Sequence, residues 1–499
     1  MTPKNHSCYF PFPIGPFGGT GRGFVGGLVK RARLVWMTAL CLLCGPFGAT
    51  RAGEDPDPSQ FGLPLLSEDD APLESFPSRV SALVWQGPAL DAGPGGSEDA
   101  VEYGMARLLP TVAAARPGGT KVTLGGLIQA DAGWFNQSTS SRLAVGDVQD
   151  AAGLRRARFN AFGSVAENVD FRLALDFAAP ARPSFVDAFL DFTKTPLIGN
   201  LRVGQFRQPE GLEVLTAQRF GVFMERAPNI LLMPVRRMGI GTYNRSEDTR
   251  STWFVSAYRT GTDQYADDLN DNGAFAGMAR FTRLVWDGDH DKYLHLGGSF
   301  GFGGATSGKL QYGRLGGNSP EWGLFVGTIG TPEFTNSTPS FVNTGQFSAL
   351  NTVLSNFEMV STLGPCTVQG EFTTSQVNRP DLPYAFFYAY YGQISWFLTG
   401  ESRPYNRNLG VLDRVIPLTN SRPGHPFGGA WEIAARISSI DLTSGTINGG
   451  QLTDGTVGLS WYANPYTRLY FNFIHSCLQK EPIGPSNANV FAMRAQVDF

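Results

Sequence analysis

From Thr120 to its last residue the chain alternates apolar and polar side chains with period two, and that rhythm restricts the fold more than any other feature. Period two sends successive side chains to opposite faces of a β-strand, whereas a helix repeats every 3.6 residues. In one segment Val169, Phe171, Leu173, Leu175 and Phe177 alternate with Asp170, Arg172 and Asp176. Just before it, Ala157, Phe159, Ala161 and Val165 oppose Arg156, Arg158, Asn160 and Ser164. Val186, Ala188, Leu190 and Phe192 oppose Asp187 and Asp191, and Trp431, Ile433, Ala435 and Ile437 oppose Glu432, Arg436 and Ser438. The final stretch sets Phe491, Met493, Ala495, Val497 and Phe499 against Arg494, Gln496 and Asp498.

The alternation predicts sixteen strands, at about 121–135, 154–166, 168–178, 184–194, 199–207, 236–245, 250–260, 274–287, 292–304, 352–363, 365–378, 384–399, 429–443, 452–463, 466–478 and 488–499. A seventeenth candidate near 322–345 is set aside, because single-chain bacterial barrels have an even number. Glu167-Asn168, Gly288-Asp289, Gly364-Pro365 and Asn464-Pro465 read as short periplasmic turns. The longer gaps at 208–235, 305–351 and 400–428 read as extracellular or pore-inserted loops.

A soluble sandwich alternates too, with its apolar face inward. Three features separate the cases. Lys30, Arg31 and Arg33 precede the apolar run Leu34 to Leu43 and then Ala49-Thr50-Arg51-Ala52, with the small Thr50 and Ala52 placed before a cut, an order that reads as a signal peptide over 1–52. The segments reach the ~9–11 residues that cross a bilayer as tilted strands, while nothing after Gly53 approaches the ~18 apolar residues of a spanning helix. The chain also ends on a strand closed by an aromatic residue, Phe499, like bacterial outer-membrane barrels. Trp134, Phe135, Trp253, Trp286, Tyr293, Trp396, Trp461, Tyr462 and Tyr466 stand near strand ends, where interfacial girdles belong. The expectation is an all-β, transmembrane antiparallel barrel over 120–499, in the bacterial outer membrane and against its lipid. Sixteen strands enclose a lumen too wide to fill with their own side chains, so it holds water.

Charge bears on partners. The first 52 residues hold six of the 40 basic residues and no acidic one. The stretch 53–119, rich in Pro, Gly, Ala, Asp and Glu, reads as an acidic, flexible periplasmic leader. From Arg116 onward 32 basic residues balance 32 acidic ones, with five lysines among the basic set. No basic stripe of the kind that binds nucleic acid is present. Cys366 and Cys477, the cysteines outside the signal segment and leader, either pair or stay free.

Chemistry-bearing motifs are sparse. Asp268-Leu269-Asn270-Asp271-Asn272-Gly273 matches half of a calcium loop, but Ala279 stands where the twelfth-position acid is needed, so a solvated turn is the reading. Asp287, Asp289, His290 and Asp291 read as a polar hairpin turn. His290, His295, His425 and His475 lack a nucleophile motif or metal-ligand spacing. The sequence points to no enzyme, metal or cofactor. A structural or adhesive barrel with a plugged lumen, and an outer-membrane hydrolase, stand as alternatives to an open channel.

Several segments resemble one family. Arg202 to Phe206 followed by Pro209 and Gly211-Leu212-Glu213, then Phe223-Met224-Glu225-Arg226, is similar to the phosphate-selective porin O and P family. So are Phe397 to Glu401, Gly429 to Glu432 with Ala435-Arg436, Gly458 to Tyr462 with Asn464-Pro465, and the tail Arg494 to Phe499. The resemblance runs from about Thr120 to Phe499. It implies a water-filled channel for passive diffusion of small hydrophilic solutes, with anions such as phosphate among them. It also implies a homotrimer of 16-stranded barrels, each with an inward-folded third loop, here Gln208 to Val235. The family carries a lysine at its constriction. This loop has none: Arg219 stands where the family pattern offers a basic residue, and Arg226 matches the arginine after the glutamate.

Arg219, Arg226, Arg236 and Arg237 are therefore candidates to line the constriction, where fixed positive charge selects anions by its local field. The alternative is that some pair with Glu213 or Glu225 and pin the loop to the wall. Arg156, Arg158, Arg172 and Arg436, with Arg494, project from faces assigned to the lumen beside Asp131, Asp170, Asp176, Asp187, Asp191 and Glu432. Such facing rows either set up a transverse field or brace the barrel.

Overall fold

The structure, a computed structural model, describes residues 121–178, 183–261, 274–288, 291–313 and 340–499. The signal segment and leader, the half calcium loop at 268–273 and most of the discarded strand near 322–345 lie outside these residues.

Sixteen antiparallel strands close into one barrel. The first nine are β1 (Lys121–Gln137), β2 (Ala151–Ala166), β3 (Val169–Asp176), β4 (Ser184–Thr195), β5 (Gly199–Arg207), β6 (Arg236–Arg245), β7 (Ser251–Arg259), β8 (Phe275–Asp287) and β9 (Lys292–Gly304). Two short strands, β10 (Lys309–Leu310) and β11 (Phe347–Ser348), pair with each other outside the barrel ladder. The wall resumes with β12 (Asn351–Leu363), β13 (Cys366–Arg379) and β14 (Leu382–Phe397). After another separate pair, β15 (Tyr405–Asn406) and β16 (Val411–Leu412), it finishes with β17 (Ala430–Ser444), β18 (Ile447–Asn464), β19 (Thr467–Lys480) and β20 (Gly484–Asp498). The ring closes where β1 pairs with β20, from Leu127 opposite Asp498 to Gln137 opposite Ala488.

Alternation becomes sidedness in this ring. On β14, Tyr384, Phe386, Tyr390, Ile394 and Trp396 are exposed while Ala385, Phe387, Ala389 and Tyr391 are buried. Large apolar side chains pointing out of a closed barrel make the lipid-facing band, and the buried polar residues between them line the interior. The interior set is rich in charge: Asp131, Arg156, Arg158, Asp191, Arg202, Glu358, Glu432 and Arg494 are all buried.

Two of the wall's bulges change which face a residue takes. Gln129 and Ala130 of β1 face Arg156 and Leu154, leaving Arg155 extra in β2. Ala174 and Leu175 of β3 face Asp187 and Phe185, leaving Val186 extra in β4. A bulge sets two residues against one and breaks the strict alternation. Val186, expected on the outer face with Leu190, is accordingly 1% exposed, and Phe185 takes the outer face at 37%. β18 begins five residues earlier than the alternation indicates and β20 four. Gly449-Gly450 and Pro485 interrupt the apolar rhythm there, but main-chain pairing continues through Gln451 opposite Gln479 and Gln479 opposite Pro485.

Because the strands alternate in direction, the connections fall at two ends. The end that holds the start of β1 and the end of β20 carries 167–168, 196–198, 246–250, 364–365, 465–466 and the much longer 398–429. The far end carries 208–235, 305–313 and 340–350 among its connecting segments.

Candidate functional site

An irregular segment needs partners for its main-chain polar groups when it leaves water, and the partners of 208–235 say where it goes. The segment leaves between β5 and β6. The Glu371 carboxylate on β13 accepts from the main-chain N–H of Leu212 at 3.0 Å and of Glu213 at 2.7 Å. Asn229 donates to Thr373 at 2.9 Å. Asn472 on β19 accepts from the Met224 N–H at 3.0 Å, and Arg468 donates to the carbonyls of Gly221 and Val222 at 2.7 and 3.0 Å. These partners face the barrel interior on strands remote from β5 and β6. Behind the segment, Ile230, Leu231 and Leu232 pack with Phe341, Val342, Phe387, Ile440 and Leu442 in an apolar cluster.

The 398–429 connection enters from the opposite end. Arg280 on β8 donates to the carbonyls of Leu409 at 3.2 Å and Gly410 at 2.7 Å. The Tyr405 hydroxyl bonds His295 Nδ1 at 2.7 Å, and Arg407 pairs with Asp287 at 2.6 Å. Gly410 has a φ of +65°, and a β-carbon there would stand 2.6 Å from Thr282 Oγ1 and 2.7 Å from Thr252 Oγ1. The wall is too close, and the backbone too strained, for another residue. The two inserts touch. The Leu412 N–H donates to Thr216 Oγ1 at 3.4 Å, Arg403 donates to the Phe220 carbonyl at 3.1 Å, and Leu212 packs with Val411 and Leu412.

Beside them, against β2 to β8, lies a chamber of about 1090 Å³, its open mouth included. Among the described residues, Arg158, Arg172, Arg202, Arg207, Arg219, Arg236 and Arg280 line it, and Asp187 is the one lining acid. Asp187 is shared, pairing with Arg236 at 2.8 Å and Arg172 at 3.3 Å. Asp498 is shared likewise, by Arg414 and by Arg219 at 3.6 Å.

Of the residues singled out from the sequence, the structure brings Arg158, Arg172, Arg219 and Arg236 to this chamber. Arg158 pairs with Asp176 at 2.8 Å. Arg226 instead donates to the main-chain carbonyls of Glu213, Val214 and Thr216, which ties the third loop to itself. Arg237 donates to the carbonyls of Thr260 and Arg236. Arg156 donates to Gln129 at 2.8 Å, and Arg436 reaches the Glu225 carbonyl at 3.0 Å and Glu213 at 3.4 Å. Arg202, Arg207 and Arg280 line the chamber without being among the lining candidates, although Arg202 opens a family-like segment and both Arg202 and Arg280 sit in clear alternations, Leu201-Arg202-Val203 and Ala279-Arg280-Phe281. Arg155, freed by the bulge, pairs with Glu225 at 3.3 Å.

The loop's carboxyls divide by surroundings. Burial pushes Glu210 well above the ordinary glutamate range, Glu371 adds to it, and neither Glu210 oxygen has a hydrogen-bond partner among the described residues. Glu225 is also buried, but Arg155 and Arg494 outweigh burial and hold it below that range. Opposite charge favours the ionised form and desolvation the neutral one.

Comparison with known proteins follows this geometry. A family model described as phosphate-selective porin O and P matches residues 122–499. Porin O of Pseudomonas aeruginosa is 24% identical over 414 residues, covering 75% of this chain and 88% of that protein. OmpT of Vibrio cholerae has 10% identity and a TM-score of 0.46 over 78% of this chain and 100% of its own. An anion-selective porin from Comamonas acidovorans has 12% identity and a TM-score of 0.43 over 76% and 100%.

Proposed function

The chain belongs to the phosphate-selective porin O and P family of outer-membrane channels, and from that membership we propose that it passes small anions through the arginine-lined chamber. The observation that carries this reading is the lining itself, seven arginines against one acid. A cation-lined constriction in low-dielectric walls concentrates anions by its field. Arginine suits the task because its planar fork matches carboxylate and phosphate oxygens, and its charge persists at any physiological pH.

On this reading solute enters from the far end, meets the third loop, and follows Arg219, Arg236, Arg172 and Arg158 along the wall. Passage requires that no site hold the anion tightly, and carboxylates temper these arginines: Asp187 beside Arg172 and Arg236, Asp498 beside Arg219, and Asp176 beside Arg158. Diffusion runs down the gradient without an energy source. A homotrimer in the outer-membrane lipid is part of the same proposal, tested by the mass of the detergent-solubilised complex. The packing of residues 341–349 against β14 and β17 favours a second reading, a lumen filled at the far end.

The deciding experiment is the reversal potential of the purified protein in a planar bilayer under a salt gradient, repeated with phosphate and with Arg219→Ala. Anion selectivity, reduced by phosphate block and by the substitution, supports the proposal. A cation-preferring conductance overturns it, and absence of conductance favours the filled barrel.

A further inference from the structure

Barrel interiors are usually polar, yet four consecutive strands here turn aromatic rings inward. Phe189 on β4, Phe206 on β5, Tyr243 on β6 and Phe254 on β7 all line the chamber. They form one continuous surface. The rings of Phe206 and Phe254 stack with centroids 5.9 Å apart and planes 21° from parallel, and Tyr243 meets Phe254 at 5.4 Å. Arg202 lies over Phe189 at 3.9 Å and over Tyr243 at 4.9 Å, and its guanidinium is fixed by Asp191 at 2.6 Å. Phe206 is fully buried beneath, whereas Tyr243 and Phe254 are half-buried and present ring surface to the chamber.

Bracing Arg202 requires the rings that flank it. It does not require Phe254, which stacks on Phe206 behind the arginine's two closest ring partners. A hydrated inorganic anion gains nothing from a ring face, and its hydration shell is poorly served by one. An aromatic ring placed on Phe254 and Tyr243 would gain offset-stacked contact, with its charged group among Arg172, Arg219 and Arg236 on the same chamber.

We propose that the chamber is a binding station for organic anions that carry a flat aromatic ring beside a carboxylate or phosphate. This rests on the anion-passage reading above and narrows its substrate class. The ring lengthens the anion's stay on the aromatic wall, and the arginines set its orientation.

The test titrates sodium benzoate and sodium acetate, each of one negative charge, against the chloride current of the channel in a planar bilayer. In the unchanged protein benzoate should half-block at about tenfold lower concentration than acetate, the scale of one aromatic contact. Phe254→Ala should bring the two within about threefold, and Phe254→Leu, which keeps apolar bulk and so guards against misfolding, should fall between. Equal block by benzoate and acetate, or an unchanged ratio in both variants, overturns the proposal. The reversal potential is read in the same membranes. Anion selectivity with equal block removes only the aromatic station, whereas cation selectivity removes the anion-passage reading and the station together.

Discussion

Arg403, on the insert that enters from the terminal end, donates 3.1 Å to the main-chain carbonyl of Phe220 on the loop that enters from the far end. It also pairs with the buried Glu432, which Arg468 approaches at 3.3 Å. One guanidinium thus joins two segments and the wall. Replacing Arg403 with Gln should loosen both inserts, and single-channel recordings should show larger and noisier conductance. Breaking a buried pair typically costs about 3–5 kcal/mol, and the retained Arg468 places Arg403→Gln at the low end. An unchanged conductance trace would show that the contact does not limit the channel.

Asp187 offers the opposite sign. Asn at this position removes the chamber's one lining acid while leaving Arg172 and Arg236 in place. A unit charge about 6 Å from a passing ion in water-like surroundings is worth ~0.7 kcal/mol, about threefold. Asp187→Asn should therefore raise the chloride-to-potassium permeability ratio by about that factor, and Arg236→Gln should lower it. Reversal potentials at two salt gradients measure both, and movement in the same direction would contradict the lining argument.

Burial raises the Glu210 carboxyl, so the third loop should be sensitive to pH. Its folded-state value lies above its unfolded one, so its contribution to stability is fully present below the unfolded value and is lost as pH rises through the folded value. Glu210→Gln, a fixed neutral mimic, should therefore match the unchanged protein in acid and exceed it increasingly toward alkaline pH. The comparison is the midpoint of heat-induced unfolding followed by gel mobility, at pH 3.5 and pH 9. A constant difference between the two would show that the carboxyl is not the titrating group.

The barrel seam yields a packing prediction. A β-carbon on Gly126 would stand 2.4 Å from the ring of Phe499, and the two residues exchange main-chain hydrogen bonds at 2.7 and 3.1 Å. Phe499 is exposed, so Gly126→Val can swing that ring aside and should cost about 0.5–1 kcal/mol, seen as a slightly lower heat-unfolding midpoint. Shortening the ring as well, in Gly126→Val with Phe499→Leu, should recover part of the loss.

The wall was legible in the sequence because each strand advertises itself locally. All sixteen expected strands appear, β5, β6 and β9 with the expected bounds. Local rhythm cannot see a bulge, however, since Val186 and Arg155 differ from their neighbours only in what faces them across the ladder. It also cannot assign an arginine. Arg226 and Arg219 lie seven residues apart on one loop, yet one binds main-chain carbonyls and the other lines the chamber. The insert at 398–429 shows in the sequence only as a long gap at 400–428; its end of the barrel depends on counting strand directions, and its partners Arg280, His295 and Asp287 lie more than a hundred residues away.

The meeting of the two inserts also bears on how such a channel can be altered. Phe220 and Arg403 are 183 residues apart in sequence, so no single exchangeable stretch of chain encodes the shape of the passage. A third loop transplanted from a relative would arrive facing the wrong counterpart, with Leu212, Thr216 and the Phe220 carbonyl matched to another protein's insert. Changes of preference are then expected to come as coupled pairs, one on each segment. Such pairs should give combined effects that differ from the sum of the separate ones.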